Sequence, residues 1–332
     1  MSDRTVNDEG INNDAPAALA RRVSEAVSQV IVGSRQTIEL LLVALFADGH
    51  VLLDDVPGIG KTTMAKALAR SLGCTFRRIQ CSPDLTPTDI IGVSIYDQRS
   101  AGFVFHPGPI NAQILLVDEI NRATPRTQSA LLEAMEERQV TAEGETRPLP
   151  RPFLVIATQN PVEMEGTFPL PEAQLDRFLL RLRIGYPSES DEHALIARFR
   201  EASPLAELAP VLETESLLEA QRACRTIQMD PSVEGYLVAL IRATRADPAI
   251  ELGASPRATL ALYRASQVLA AIRGRPFVLP DDIKTVAPSV LAHRLVLNPQ
   301  AQLRGRDAEH VLADLLDQLP VPVEDDSPLT AR

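Results

Sequence analysis

Four short segments carry residue types suited to anion and water chemistry. The first, LLDDVPGIGKTT, places Gly58, Gly60, Lys61, Thr62 and Thr63 directly after an apolar run and before a helical pattern. Two glycines let the backbone curl until successive N–H groups and a helix N-terminus aim at one anion. Lys61 adds a point charge suited to β- and γ-phosphates, and the Thr62 hydroxyl can ligate Mg²⁺. Counting back from Lys61 puts Asp55 where the G-x-x-x-x-G-K-[ST] pattern has its first glycine, so the strict pattern fails at one position. The plainer alternative is a Gly-rich strand-to-helix turn with an exposed Lys.

The second segment, ILLVDEINRA, ends an apolar strand on Asp118 and Glu119, a carboxylate pair that is costly there without a cation or donors. With Mg²⁺ present, Asp118 would hold the metal and Glu119 would act as general base on a water. The competing reading is an acidic helix N-cap. The third, IATQNP, puts Asn160 at the end of another strand, where its amide could orient the water, although an Asn before Pro is also a common turn former. The fourth, PEAQLDRFLLRLR, offers Asp176, Arg177, Arg181 and Arg183, with Phe178 as a core anchor that would leave the Arg177 guanidinium facing outward.

The elements that must position these residues follow from periodicity. Apolar residues at three-to-four spacing over 17–30 (Leu19, Val23, Ala26, Val27, Val30) predict a helix, and a second runs over 34–48 after Gly33. Strand, loop and helix alternate from there: a strand at 51–53 and a helix at 61–71, a strand at 114–117 and a helix at 125–138, then a strand at 153–157. This alternation predicts a parallel α/β sheet. Residues 94–105 alternate around glycine and predict a β-hairpin. From Tyr186 and Pro187 onward strand-like runs disappear, and amphipathic helices are expected over 189–202, 213–226, 231–246, 255–273, 280–292 and 307–318. The fourth carries a stripe of Leu260, Tyr263, Val268, Ala271 and Ile272, interrupted by Gln267 and flanked by Arg264. The division is thus a tail at 1–14, an α/β core at 15–186, an all-helical domain at 187–319 and a second tail at 320–332.

Composition narrows the function classes. The 332 residues suffice for about two domains, and 45% apolar with 23% charged residues is ordinary for a folded chain. A formal net charge of −11 disfavours nucleic acid as the main partner. No Trp and 4% aromatics leave little stacking surface. The longest wholly apolar run is eight residues, 40–47, against roughly 20 for a membrane-spanning helix. Cys74, Cys81 and Cys224 lack metal spacing and read as reduced thiols. The polar, acidic N-terminal stretch carries no export pattern, so the chain is read as cytoplasmic.

GIGKTT, LLVDEINRA, ATQNP, LPEAQLDRF and ASPRA, in this order and at these intervals, resemble the MoxR family of AAA+ ATPases across nearly the whole chain. The resemblance implies a P-loop core with a parallel sheet sandwiched by helices, followed by an all-helical lid, with ATP and Mg²⁺ as ligands. It assigns Pro57, Gly58, Ile59, Gly60, Lys61, Thr62 and Thr63 to Walker A, Asp118 and Glu119 to Walker B, and Asn160 to sensor 1. Thr62 and Asp118 would hold Mg²⁺. Arg177 resembles an arginine finger acting on a neighbour's ATP, Arg257 resembles sensor 2, and Val32 and Gly33 resemble the adenine-side segment. The hairpin around 94–105 occupies the place of a helix insertion, a candidate contact with substrate or a central pore. Asp55 leaves the phosphate-contacting positions intact but adds a carboxylate that could raise the demand for Mg²⁺.

The family implies a homo-oligomeric ring, read as a hexamer, a partner with a von Willebrand factor A domain, and a protein client that is remodelled or matured. The alternatives are an ATP-gated scaffold with slow turnover, a chelatase-type ATPase subunit, and a DNA motor, the last disfavoured by the acidic charge. Of the remaining residues, His106, His193, His293 and His310 are expected to be structural. Arg122 and Arg126 are either solvated or turned toward a neighbouring subunit. Glu133, Glu136 and Glu137 are expected on a polar helix face, and Phe103 and Phe105 on one face of a strand, an arrangement equally consistent with a local core.

Overall fold

The computed structural model describes residues 14–322, apart from Asp55, Pro57, Ser100, Phe199 and residues 161–165 and 201–203. Both expected tails, except Asp14 and residues 320–322, and the expectations for Asp55 and Pro57 therefore lie outside the described residues.

Two helices, α1 (Asp14–Ser28) and α2 (Arg35–Phe46), precede the first strand, β1 (Val51–Asp54). The chain then forms α3 (Lys61–Ser71), β2 (Phe76–Gln80), α4 (Pro87–Ile91), β3 (Gly92–Asp97), β4 (Gly102–Pro107) and β5 (Ile114–Asp118). Next come α5 (Pro125–Glu137), β6 (Gln139–Ala142), β7 (Glu145–Pro148), β8 (Leu154–Gln159), α6 (Glu172–Leu175) and β9 (Leu180–Leu182). Five strands pair in the order β2-β5-β8-β1-β9, all parallel. The expected parallel sheet is thus present. The expected hairpin is β3 with β4, paired antiparallel from Gly92 opposite Pro107 to Asp97 opposite Gly102.

Alternate residues of the sheet enter two separate cores, as the two-residue period of a strand requires. Val51, Leu53, Leu116 and Ile156 pack with α1, α2, α3 and the C-terminal helices, whereas Leu52, Leu115, Val117 and Val155 pack with Leu131, Leu132 and Met135 of α5. The sheet is therefore covered on both faces, and because its five strands are parallel their carboxyl ends share one edge. Phe178 is fully buried in the second core, as its place in the sequence suggested. Truncating such a side chain typically costs about 3–5 kcal/mol, so the segment on either side of it is held firmly.

The C-terminal part comprises α7 (Glu189–Arg198), α8 (Pro204–Glu207), α9 (Thr214–Cys224), α10 (Pro231–Ala246), β10 (Ile250–Leu252), α11 (Pro256–Ile272), α12 (Pro280–Leu291), β11 (Val296–Leu297), α13 (Pro299–Leu303) and α14 (Ala308–Gln318). Its described residues are mainly helical, but β10 and β11 form a short antiparallel pair and Gln228 bridges Phe277, so the all-helical expectation needs that correction. Of the helix expected over 189–202, Glu189–Arg198 is present, while residue 199 and residues 201–202 lie outside the described residues. The stripe expected on α11 is also revised. Leu260 is 57% exposed and Gln267 is 6% exposed, its amide donating to the Ile227 carbonyl at 2.6 Å. Val268 and Ala271 of the stripe are buried and Tyr263 and Ile272 pack against the same core, but the packed face extends further, to Ala258, Leu262, Ala265 and Leu269, where small residues let α11 approach α1 and α12 closely. Phe103 is 75% exposed, and the Phe105 ring lies under the Arg147 guanidinium at 4.0 Å, so this pair forms no closed local core. Among the described residues no helix is long and apolar enough to cross a membrane.

Candidate nucleotide site

Gly58 and Gly60 have φ of +88° and +87°, a left-handed backbone that L side chains adopt only at a cost. The turn they make delivers the chain into α3 with Lys61 as its first residue and no side chain capping its N-terminus. The first N–H groups of that helix have no partner within it, which makes this end a place for an anion. Lys61, Thr62 and Thr63 line a cavity of about 340 Å³ together with Arg78, Gln80, Asp118, Glu119, Thr158 and Asn160. A second cavity, about 150 Å³, is bounded by Val32, Gly33, Ile59, Ile184, Tyr186 and Pro187 among others. Gly60 and Thr63 line both, so the two adjoin as the two ends of a trough across the start of α3. Gly33 is required here twice over: its φ is +75°, and a Cβ at this position would run into the Asp191 carboxylate.

The carboxylates sit at the end of β5 in a network of donors. Asp118 is 7% exposed; its Oδ2 accepts from Arg78 Nε at 2.6 Å and its Oδ1 from the Thr158 hydroxyl at 3.2 Å. That hydroxyl in turn accepts from the Glu119 backbone N–H at 2.9 Å. Glu119 has φ +56°, a left-handed conformation uncommon outside glycine, and such strain clusters at working sites. Its Oε2 accepts from Gln80 Nε2 and from Arg122 Nη1, both at 3.2 Å. Asn160, 7% exposed, follows β8 on the same edge. A carboxylate, two threonine hydroxyls and an amide form an oxygen-rich set of the kind Mg²⁺ takes, so the residues present fit that metal. Elsewhere among the described residues no group of three or more His, Cys, Asp or Glu is arranged to hold a metal ion.

Arg177 and Arg257 lie elsewhere. Both line a third cavity of about 260 Å³, which shares no lining residue with the trough. Arg177 Nε pairs with Glu136 Oε2 at 3.0 Å, and Arg257 Nη2 bonds Glu136 Oε1. Glu136 is on the exposed face of α5, as expected, and is also the joint partner of both. Asp176, next to Arg177, is held by C-terminal residues: Arg294 Nε donates to its Oδ1 at 2.6 Å and the Ser255 hydroxyl to its Oδ2 at 3.3 Å. Arg181 and Arg183 are drawn to Asp54, 4% exposed at the end of β1, and Arg183 also reaches Glu309 at 3.1 Å. They stitch β9 to β1 and to α14 rather than entering the trough. Arg126 is exposed in the first turn of α5.

The histidines are structural where buried. His293 Nε2 donates to the Phe178 carbonyl at 3.1 Å. His50 accepts from the Val155 N–H at Nδ1 and donates to the Met135 carbonyl through Nε2, both at 3.0 Å, which fixes a neutral tautomer. Burial first, and a neighbouring arginine second, hold both pKa values well below the usual histidine range. Burial favours the protonated thiols, pushing Cys74 up to about 11 and Cys81 and Cys224 up to about 12.

Sequence reasoning missed Arg78, Gln80 and Thr158, and gave Glu136 no partner. For Gln80 the only signal is register, since it is the cross-strand partner of Asp118 on a strand, FRRIQ, whose alternation is mostly exposed.

This sheet order, with its trough at the carboxyl ends of β1, β5 and β8 and a helical unit following, defines a AAA ATPase. The family model described as "ATPase family associated with various cellular activities (AAA)" matches residues 50–180, and that for the AAA lid domain matches 242–315. Chaperone MoxR1 of Mycobacterium tuberculosis is 44% identical over 92% of this chain and 82% of its own length. Protein MoxR of Methylorubrum extorquens is 34% identical over 93% of this chain and 96% of its own. A crystal structure of a Cytophaga hutchinsonii protein superposes with a TM-score of 0.87 at 36% identity, covering 93% of this chain and 98% of that one. The chain belongs to the MoxR family of AAA+ ATPases.

Proposed function

We propose that this chain hydrolyses ATP as one subunit of a homo-oligomeric ring, a hexamer, and uses the turnover to remodel or mature a client protein. The observation that carries the reading is the trough joining the Val32–Gly33 segment to Lys61, Asp118, Glu119 and Asn160. The adenine end would rest against Val32, Ile59 and Tyr186, and the phosphates against the N-terminus of α3 and Lys61. Thr62 and Asp118 would hold Mg²⁺, which when bound neutralises charge on the phosphates. Glu119 takes a proton from the attacking water while the Asn160 amide orients it. In the structure Glu119 Oε2 is engaged by Gln80 and Arg122, so productive use of the base requires that engagement to loosen.

The separation of Arg177 and Arg257 from the trough favours action on a neighbouring subunit's γ-phosphate. An arginine supplied in this way is worth roughly 10³ to 10⁵ in rate in related phosphoryl transfer. The relevant units are the core at 15–186 and the lid at 187–319, with Ser255 and Arg294 of the lid gripping Asp176 beside Arg177. A von Willebrand factor A domain protein is the proposed partner and the cytoplasm the proposed location, both by kinship with MoxR proteins.

Steady-state ATPase activity against protein concentration with Mg²⁺, alongside sizing, tests the reading. Specific activity should rise with assembly and collapse in Glu119→Gln and Arg177→Ala while each still binds ATP. Negligible turnover by the assembled wild type would leave an ATP-gated scaffold in its place.

A further inference from the structure

Both carboxylates at the end of β5 are tied to one strand by two side chains. Arg78 and Gln80 stand two apart on β2 and so share a face. Arg78 Nε donates to Asp118 Oδ2 at 2.6 Å, Arg78 Nη2 donates to Gln80 Oε1 at 2.8 Å, and Gln80 Nε2 donates to Glu119 Oε2 at 3.2 Å. Asp118 Oδ1 is already taken by the Thr158 hydroxyl. The carboxylate that would face a divalent cation therefore carries a guanidinium on its remaining oxygen. The Asp118 side chain is 10% exposed whereas that of Arg78 is 47% exposed, so the acid is fixed and the arginine is free to swing into solvent.

We propose that Arg78 is the resident cation of the phosphate cavity and competes with Mg²⁺ for Asp118. The charges lining the cavity support this. Lys61 and Arg78 balance Asp118 and Glu119, so a nucleotide without metal meets a neutral cavity containing two cations. Mg²⁺ entering at Asp118 displaces the guanidinium, and displacement removes the Arg78 hydrogen bond that orients Gln80, the amide holding Glu119. Metal binding at one carboxylate in this way loosens one of the two donors on the other, Arg122 Nη1 remaining on Glu119 Oε2 at 3.2 Å. The inference rests on the nucleotide reading above and deepens it.

Equilibrium binding of a fluorescent ATP analogue, measured once with excess EDTA and once with excess MgCl₂, reads the competition without requiring turnover. In Arg78→Gln the metal-free cavity loses a positive charge while Asp118 becomes free for Mg²⁺. The ratio of Kd in EDTA to Kd in Mg²⁺ should rise about 10-fold over that of wild type, and the half-saturating Mg²⁺ at fixed analogue should fall. Arg78→Lys, which keeps the charge, should return the ratio toward wild type. Arg78→Met keeps the aliphatic stem and serves the same comparison if Gln at this position impairs folding, with thermal melting as the check. A ratio in the folded neutral variant within about 2-fold of wild type overturns the inference alone. A wild type that binds the analogue in neither condition overturns the nucleotide reading itself.

Discussion

Arg177 and Arg257, 80 residues apart in the chain, are bound by the two oxygens of one carboxylate, Glu136. One of these arginines comes from the segment after α6 and the other from the first turn of α11, so Glu136 sets their spacing and joins core to lid. With the nucleotide trough elsewhere, this pair is presented outward, and a phosphate arriving from another subunit would have to compete with Glu136.

Glu136→Gln should therefore lower the protein concentration at half-maximal ATPase activity several-fold, because the arginines lose their internal partner. The ion pairs are partly exposed, so the melting temperature should change little, by the equivalent of about 1 kcal/mol or less. Activity against concentration, paired with a thermal melt, checks both.

Arg294 is different, since it is almost wholly buried and donates to Asp176 Oδ1 at 2.6 Å and to the Phe178 carbonyl at 2.7 Å. Arg294→Met strips Asp176 of its buried partner and should cost about 3–5 kcal/mol in urea unfolding. Arg306→Ala, which breaks an exposed pair with Asp314, should cost about 1 kcal/mol or less in the same assay.

Acid should weaken the fold through His50 and His293. Both are neutral in the folded state with pKa values held well below 6.5 by burial. Below 6.5 the unfolded chain binds protons that the folded chain does not, so stability is present above that value and falls as pH drops toward the folded pKa. The slope is about 1.4 kcal/mol per pH unit per histidine. Urea unfolding as a function of pH should show it, and His50→Gln should flatten it.

A Cβ at Gly60 would meet nothing within 4 Å, so only the backbone objects to a side chain there. Gly60→Ala at φ +87° should cost about 1–2 kcal/mol of stability. It should also weaken nucleotide binding by re-aiming the N–H groups at the start of α3. A simple space-filling change would do neither.

The trough was legible in the sequence wherever its parts are local. Gly58, Gly60, Lys61 and Thr62 are contiguous, and a strand running into glycines and then a helix has few backbone solutions. Asp118, Glu119 and Asn160 ended recognisable apolar strands, and parallel pairing brings such ends to one edge. β2 and β9 were not legible because FRRIQ alternates with mostly exposed positions and LRL is only three residues long. The short pairs β6 with β7 and β10 with β11 were hidden for the same reason, being polar or brief.

Sequence alone determined the chemistry available, namely a lysine, two carboxylates, hydroxyls and an amide on turns whose geometry neighbouring residues dictate. Only the tertiary structure decided their partners. Arg78 reaches Asp118 across 40 residues of chain through parallel register, and Glu136 gathers two arginines from separate units. Local propensity carries no information about such pairs, because a solvated arginine and a paired one have the same spacing along the chain, and the packing of β2 against β5 and of α11 against the core selects between them.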